Sequence, residues 1–284
     1  MIWLPYSLVA VFLLGVSMAL YKMPSFKGYS SFHSTFWSNF FYFILALLTL
    51  VIFGNPALAL QISWWGILWG ALFAATMLQQ KILLKRAETN TLLPVTSSLS
   101  NIVTVALGVF LLSEKISPVQ IFGVIVIFVA IFLFTRKRGK FPVDAHSLIL
   151  SVGIITVSIA AKYVQKFGAT HDSILHFSFY QALGATLSSL VLIFLFERKT
   201  LPALLSIRHT WKVSLAIAVL GTVAGLALLR ALSVGPLSGV YAIQPSYIFI
   251  TAIVGAILYK EILTFRKIAL ILVTIAGIIL IKIG

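Results

Sequence analysis

Apolar residues in this chain come in long, almost unbroken runs. They fall at 3–21, 33–53, 63–84, 91–112, 117–135, 147–165, 173–196, 210–231, 237–259 and 265–283. A bilayer core of about 30 Å needs roughly 20 apolar residues per helix, and each run is close to that length. Backbone groups in lipid must be satisfied within the segment or in a closed barrel. Barrel strands alternate apolar and polar residues over about ten positions, which these runs do not. The pattern predicts an all-α membrane protein of ten transmembrane helices. No Lys or Arg precedes the first run and no clear small-residue cleavage site follows it, so it reads as a membrane helix, not a signal peptide.

The remaining composition fits. Of 284 residues, 61% are hydrophobic and only 10% charged, where a soluble domain carries roughly 25% charged residues. The formal net charge of +15 would suggest nucleic-acid binding in a soluble chain. Here Lys and Arg sit mostly at the ends of the apolar runs, as orientation signals and headgroup contacts. Nucleic acid is therefore not an expected partner; the lipid bilayer and a small molecule are. The absence of cysteine excludes disulfides, thiolate metal sites and Cys nucleophiles.

The breaks between runs have local causes. Gly54-Asn55-Pro56 and Gly235-Pro236 are turn sequences. Ser117-Pro118 offers an N-cap with proline at the first helical position, and Thr264 can cap the last helix. The longest polar stretch, 136–146, divides the chain into halves 1–138 and 139–284. These halves are related. At a shift of 147 residues Thr104 meets Thr251, Gly108 meets Gly255, Glu114 meets Glu261 and Ser117 meets Thr264 without a gap. At a shift of 141, Val16-Ser17 meets Val157-Ser158 and Phe36 meets Phe177. Five helices is an odd number, so the second half must enter the membrane inverted. A 5+5 inverted repeat is the sequence mark of many secondary transporters.

Two passages carry a family resemblance. One is Leu93-Pro94-Val95-Thr96-Ser97-Ser98-Leu99, running to Leu112-Ser113-Glu114-Lys115-Ile116-Ser117. The other is Arg230-Ala231-Leu232-Ser233-Val234-Gly235-Pro236, running to Tyr259-Lys260-Glu261-Ile262-Leu263-Thr264. Both resemble the ten-helix EamA-like branch of the drug/metabolite transporter (DMT) superfamily, with Ser113 or Lys260 where the family pattern has Gly before Glu. The resemblance implies alternating access in a 5+5 inverted repeat, with a central cavity lined mainly by helices 1, 3, 4, 6, 8 and 9. The chain departs from it where the family's first helix carries Trp-Gly before a Lys. Here Leu14-Gly15 precedes Lys22, and helix 6 has Thr156 and Val157.

Six carboxylates are present: Glu88, Glu114, Asp144, Asp172, Glu197 and Glu261. All fall at segment ends or in connections. A mid-bilayer charge costs at least about 3 kcal/mol and normally marks function, so proton exchange through a mid-membrane Glu is not expected. Glu114 and Glu261 read as acceptors for the N-terminal amides of the helix that follows each. Among the basic residues, Lys81 and Arg230 can snorkel to the interface. Lys22 lies nearer a segment end, whereas Lys162 is set deeper and can face a cavity. Uncharged polar residues supply the other cavity candidates. They are Gln79 and Gln80 in helix 3, Ser97, Ser98 and Asn101 in helix 4, Tyr180 in helix 7, and Tyr241, Gln244 and Tyr247 in helix 9. Thr96, Asn39 and Gln181 are of the same kind. Pro94 and Pro245 are expected to kink helices 4 and 9, freeing carbonyls near a binding site. Each polar residue can equally be an interhelical hydrogen-bond partner.

His171-Asp172 with His176 is the densest potential metal cluster, but a spacing of five separates the two His on a helix. No metal or other cofactor is expected, and no Walker-type loop is present. The leading function is a secondary transporter or facilitator in the cell membrane that moves a small metabolite. That metabolite is neutral, zwitterionic or anionic, for instance amino-acid-like. A flippase for a lipid-linked substrate and a membrane-embedded enzyme are the alternatives. One chain holds both halves, so a monomer can work, and a homodimer is not excluded. Sixteen Lys and Arg fall on one face and five on the other, the face with both termini. The positive-inside rule puts both termini outside; the family resemblance puts both in the cytoplasm.

Overall fold

A computed structural model describes residues 1–20, 31–86, 89–135, 145–196, 211–260 and 264–284. Within these, the side chains at 31–32, 74, 77–86, 89–98, 135, 145–148 and 150 lie outside the description. The described residues form ten membrane-crossing helical segments and no strand. They are α1 (Trp3–Leu20), α2 (Ser31–Phe53), α3 (Trp64–Arg86), α4 (Thr89–Leu111), α5 (Pro118–Thr135), α6 (Ala145–His171), α7 (Ile174–Phe196), α8 (Trp211–Val234), α9a (Leu237–Ile243) with α9b (Tyr247–Tyr259), and α10 (Phe265–Ile283). Five stretches among them, Trp3–Leu20, His33–Phe53, Ile174–Phe196, Trp211–Val234 and Leu237–Tyr259, are each long and apolar enough on their own to cross a membrane. Pro118–Phe134, Leu99–Leu111 and Trp64–Phe73 are shorter apolar stretches of α5, α4 and α3.

The helix ends follow from side-chain capping. Ser117 Oγ accepts the Gln120 amide at 3.2 Å while Gln120 Oε1 accepts the Ser117 amide at 3.1 Å. This reciprocal pair satisfies two donors that α5 would otherwise leave open. Thr264 Oγ1 accepts from the Lys267 amide at 3.4 Å at the start of α10. After α2, Asn55 caps a 3-10 turn, Pro56–Leu60, through the Ala57 amide at 3.0 Å. The one large departure from the apolar runs is α6. The apolar pattern ends at residue 165, yet the helix continues to His171. Its polar tail is satisfied: Lys166 and His171 find carbonyls, and Thr170 bonds its own helix.

Packing respects the repeat. α3 packs on α7 as α8 packs on α2, and α3 packs on α6 as α8 packs on α1. α4 packs on α6 as α9b packs on α1. Three pairs, α2 with α7, α4 with α9a and α5 with α10, join equivalent helices of the two halves. Local structure repeats too. Ser113 and Lys260, 147 residues apart, share left-handed backbone with φ of 51° and 55°. Thr104 and Thr251 each bond the carbonyl four residues earlier, at 2.7 and 3.0 Å.

Close approaches are made where glycine leaves room. A Cβ on Gly123 of α5 would lie 2.7 Å from the Gly277 carbonyl oxygen of α10. The main buried cluster runs through Trp3, Val11, Phe177, Leu229, Tyr241 and Ile131, with α8 and α9a at its centre. Outward faces are apolar: Phe122, Ile125, Val129 and Phe132 on α5, and Leu272, Ile275 and Ile279 on α10, are exposed. That is the surface lipid requires.

Both termini lie at one end of the bundle. Met1, Lys115, Pro236 and Ile281 line one cavity of about 170 Å³. Asn55, Asp172 and Arg230 line another of about 460 Å³ at the same end.

Candidate functional site

The structure brings together a polar group from three helices of both halves. Lys162 stands on α6, nine residues before His171. At 1.5 Å per residue that is about 14 Å along the helix, near the middle of a core about 30 Å thick. Its Nζ donates to Ser100 Oγ of α4 at 2.6 Å, and Ser100 Oγ donates to Ser158 Oγ at 3.0 Å. The same ammonium lies 5.3 Å from the ring centre of Tyr241 on α9a. The fully buried Tyr241 hydroxyl donates to Gln165 Oε1 at 2.8 Å. Asn101 is buried beside Ser100, and its Oδ1 has no hydrogen-bond partner among the described residues.

One helical turn toward the termini, two charges clasp the α8–α9a connection. Lys166 Nζ donates to the carbonyls of Leu232 and Gly235 at 2.6 and 2.7 Å, where α8 ends. Glu114 accepts from the amides of Leu237 and Ser238 at 2.6 and 2.9 Å, and from the Ser238 hydroxyl, where α9a begins. Cation at a C-terminus and anion at an N-terminus is the favourable sense for both helix dipoles. This corrects the expectation that Glu114 caps the helix that follows it: it caps a helix of the other half. The left-handed Ser113 turns the chain, and Gly108 leaves space, since a Cβ there would sit 3.0 Å from Glu114 Oε2. Trp3 closes the same end, its side chain 2.5 Å from where a Gly235 Cβ would be.

Other sequence candidates are placed as follows. Tyr180 does not join the central group; its hydroxyl donates to the Ala59 carbonyl at 3.0 Å and anchors the 3-10 turn. Gln244, Pro245 and Ser246 form a 3-10 turn that interrupts helix 9. Tyr247 begins α9b, and its side chain packs against the main cluster. α4 is α-helical throughout Thr89–Leu111, so no change of helix type accompanies Pro94. Trp69 stacks on Phe73 with ring centres 5.2 Å apart. Asn39 Nδ2 donates to Ser189 Oγ at 2.8 Å and ties α2 to α7. The side chains of Gln79, Gln80, Thr96, Ser97 and Ser98 lie outside the described residues, as do Lys22 and Glu261. The His171, Asp172 and His176 cluster is dispersed: His171 meets the Phe167 carbonyl, His176 the Gln61 carbonyl, and Asp172 accepts from Ser63.

Sequence reading missed Ser100, Ser158, Gln165 and Lys166 as site members. A signal existed for Lys166, which is four residues after Lys162 and shares its helix face. None existed for Ser158, since a lone Ser in an apolar helix bonds its own backbone as readily as a neighbour.

Comparison with known proteins agrees with this architecture. Solved structures share the fold: one crystal structure superposes with a TM-score of 0.82 at 13% identity, covering 99% of this chain and 96% of the other. No curated protein sequence matches the chain. The model of the EamA-like transporter family matches twice, at residues 1–136 and 146–283, once for each set of five helices. A multi-pass bundle, halves related by inversion and two family matches that cover nearly every residue converge on one assignment: the chain belongs to the EamA-like transporter family, whose members are membrane transporters of small molecules.

Proposed function

We propose that the protein is a secondary carrier of the cell membrane, working as a monomer without a cofactor, that moves a small metabolite by alternating access. The repeat boundary is taken at 138/139, between the two family matches. One observation carries the mechanism. The packing pairs map onto each other when the halves are exchanged, while Glu114 of the first half holds Leu237 and Ser238 of the second at the terminus end through reversible hydrogen bonds. Exchanging the conformations of two such halves would release one end and close the other. Lys162 sits in the seam between them. The substrate is neutral, zwitterionic or anionic. Among the described residues a bare cation would meet Lys162 and no carboxylate, because Glu114 is engaged with α9a and Asp172 with Ser63 at the terminus end.

The chain has no cysteine, so introduced cysteines report without background. A Glu114→Cys, Ser238→Cys double variant in proteoliposomes should lose saturable flux when a short bifunctional thiol reagent joins the two, and regain it when a cleavable linker is cut. Full flux in the cross-linked protein would rule out opening at this end.

A further inference from the structure

We infer that Lys162, with Ser100 and Ser158 beside it and Tyr241 beneath it, is the subsite for the carboxylate of the transported molecule, so that the substrates are small carboxylic acids. The inference rests on the carrier reading and narrows its substrate class.

The argument begins with the missing counter-charge. An ammonium near mid-bilayer is costly and is normally paired. Among the described residues Lys162 has no carboxylate partner; its contacts are one hydroxyl at 2.6 Å and one aromatic face at 5.3 Å. An ammonium has three donors. Ser100 takes one, and Ser100 is itself committed as a donor to Ser158. The remaining donors suit an anion better than a neutral acceptor, because a charge-assisted bond is roughly twice as strong. Lys166, one turn away on the same face, shows the contrast: two backbone carbonyls hold it in a structural role.

Tyr241 defines the other side. Its hydroxyl is fixed on Gln165, so the ring offers Lys162 its face and keeps the stem from swinging toward α9a. Lys162 therefore presents its free donors between α4, α6 and α9a, helices drawn from both halves. A carboxylate there would neutralise the Lys162 charge at the seam. The empty carrier, with a bare cation between the halves, would reorient less readily than the loaded one.

Full-length protein in proteoliposomes is tested with labelled lactate, alanine and leucine, each beside its carboxamide, and for alanine and leucine also beside the decarboxylated amine. The purified protein is titrated with the same compounds in thermal-shift measurements. At least one acid should show saturable flux, with its amide and amine at least tenfold weaker. Lys162→Gln should raise KM for that acid at least tenfold, Lys162→Arg should stay within about threefold, and the exposed Lys282→Gln should match the wild type. Saturable flux of amides or amines equal to the acids, or an unchanged KM in Lys162→Gln, overturns the inference and leaves the carrier reading standing. Acids that raise the melting temperature through Lys162 but show no flux support the subsite and overturn the carrier reading. Neither flux nor shift overturns both. If Lys162→Gln does not elute as a monodisperse peak, the discrimination between acid and amide by the wild type decides alone.

Discussion

Ser113 and Lys260 hold the left-handed conformation that ends α4 and α9b. A side chain with a Cβ costs about 1 kcal/mol or more there, whereas glycine costs little. Ser113→Gly and Lys260→Gly should each raise the thermal midpoint in detergent, by about 1 kcal/mol of stability, with flux retained. A lowered midpoint would show that these side chains contribute more than their backbone strain removes. The opposite sign is expected at Gly168, whose added Cβ would lie 2.1 Å from the Phe177 ring. That ring is fully buried and cannot retreat. Gly168→Ala should cost about 1–3 kcal/mol, the range for overpacking a core, and Phe177→Leu should recover part of it. An equal loss in the double variant would place the strain elsewhere. Neither effect was visible in the sequence. The matched positions 113 and 260 could be aligned, but φ is set by how the chain must turn. Gly168 falls beyond the apolar run at 147–165, where no pattern in the sequence marks it as packed.

At the scale of the helix, the 147-residue shift already contained the capping architecture, because Ser117 and Thr264 are caps with local partners. What was not legible is which helix Glu114 serves. Its partners are more than a hundred residues away, and a carboxylate at a segment end is compatible with any nearby amide. The end of α6 differs for a related reason: the apolar run stops before Lys166, where a second Lys and a polar stretch follow. Lys166 nonetheless stays in the helix because the α8 terminus supplies two carbonyls. Lys162 thereby lies deeper than the apolar pattern placed it. Glu114→Ala should leave the Leu237 and Ser238 amides without their acceptor, costing about 1–3 kcal/mol. Glu114→Gln should cost less, since it keeps an acceptor but loses the charge. Both variants should make a cysteine at Gly239 react faster with a water-soluble thiol reagent than the same cysteine in the parent. Unchanged reactivity would mean that the latch does not hold this end shut.

For the whole molecule, the decisive asymmetry is charge. Five Lys and Arg were assigned to the face with both termini, but two of them, Lys162 and Lys166, belong to the interior of α6. Lys115, Arg230 and Lys282 remain on that face, against sixteen on the other. Both halves contribute to the excess, so it is not the bias of one connection. Cytoplasmic connections retain Lys and Arg because their translocation is disfavoured, and the connections here are short enough for the rule to apply. The family resemblance points the other way, with both termini in the cytoplasm, and the two arguments cannot both hold. The charge distribution reads this chain directly. It survives the structure: setting aside Lys81, which lies five residues inside α3 as Lys166 does in α6, still leaves three against fifteen. A reporter active only in the cytoplasm should therefore be silent when fused after Gly284, and bright when inserted in the connection between the halves at 136–144. The reverse pair of signals would show that the family arrangement overrides the charge excess in this protein. It would also place the Glu114 latch at the cytoplasmic end.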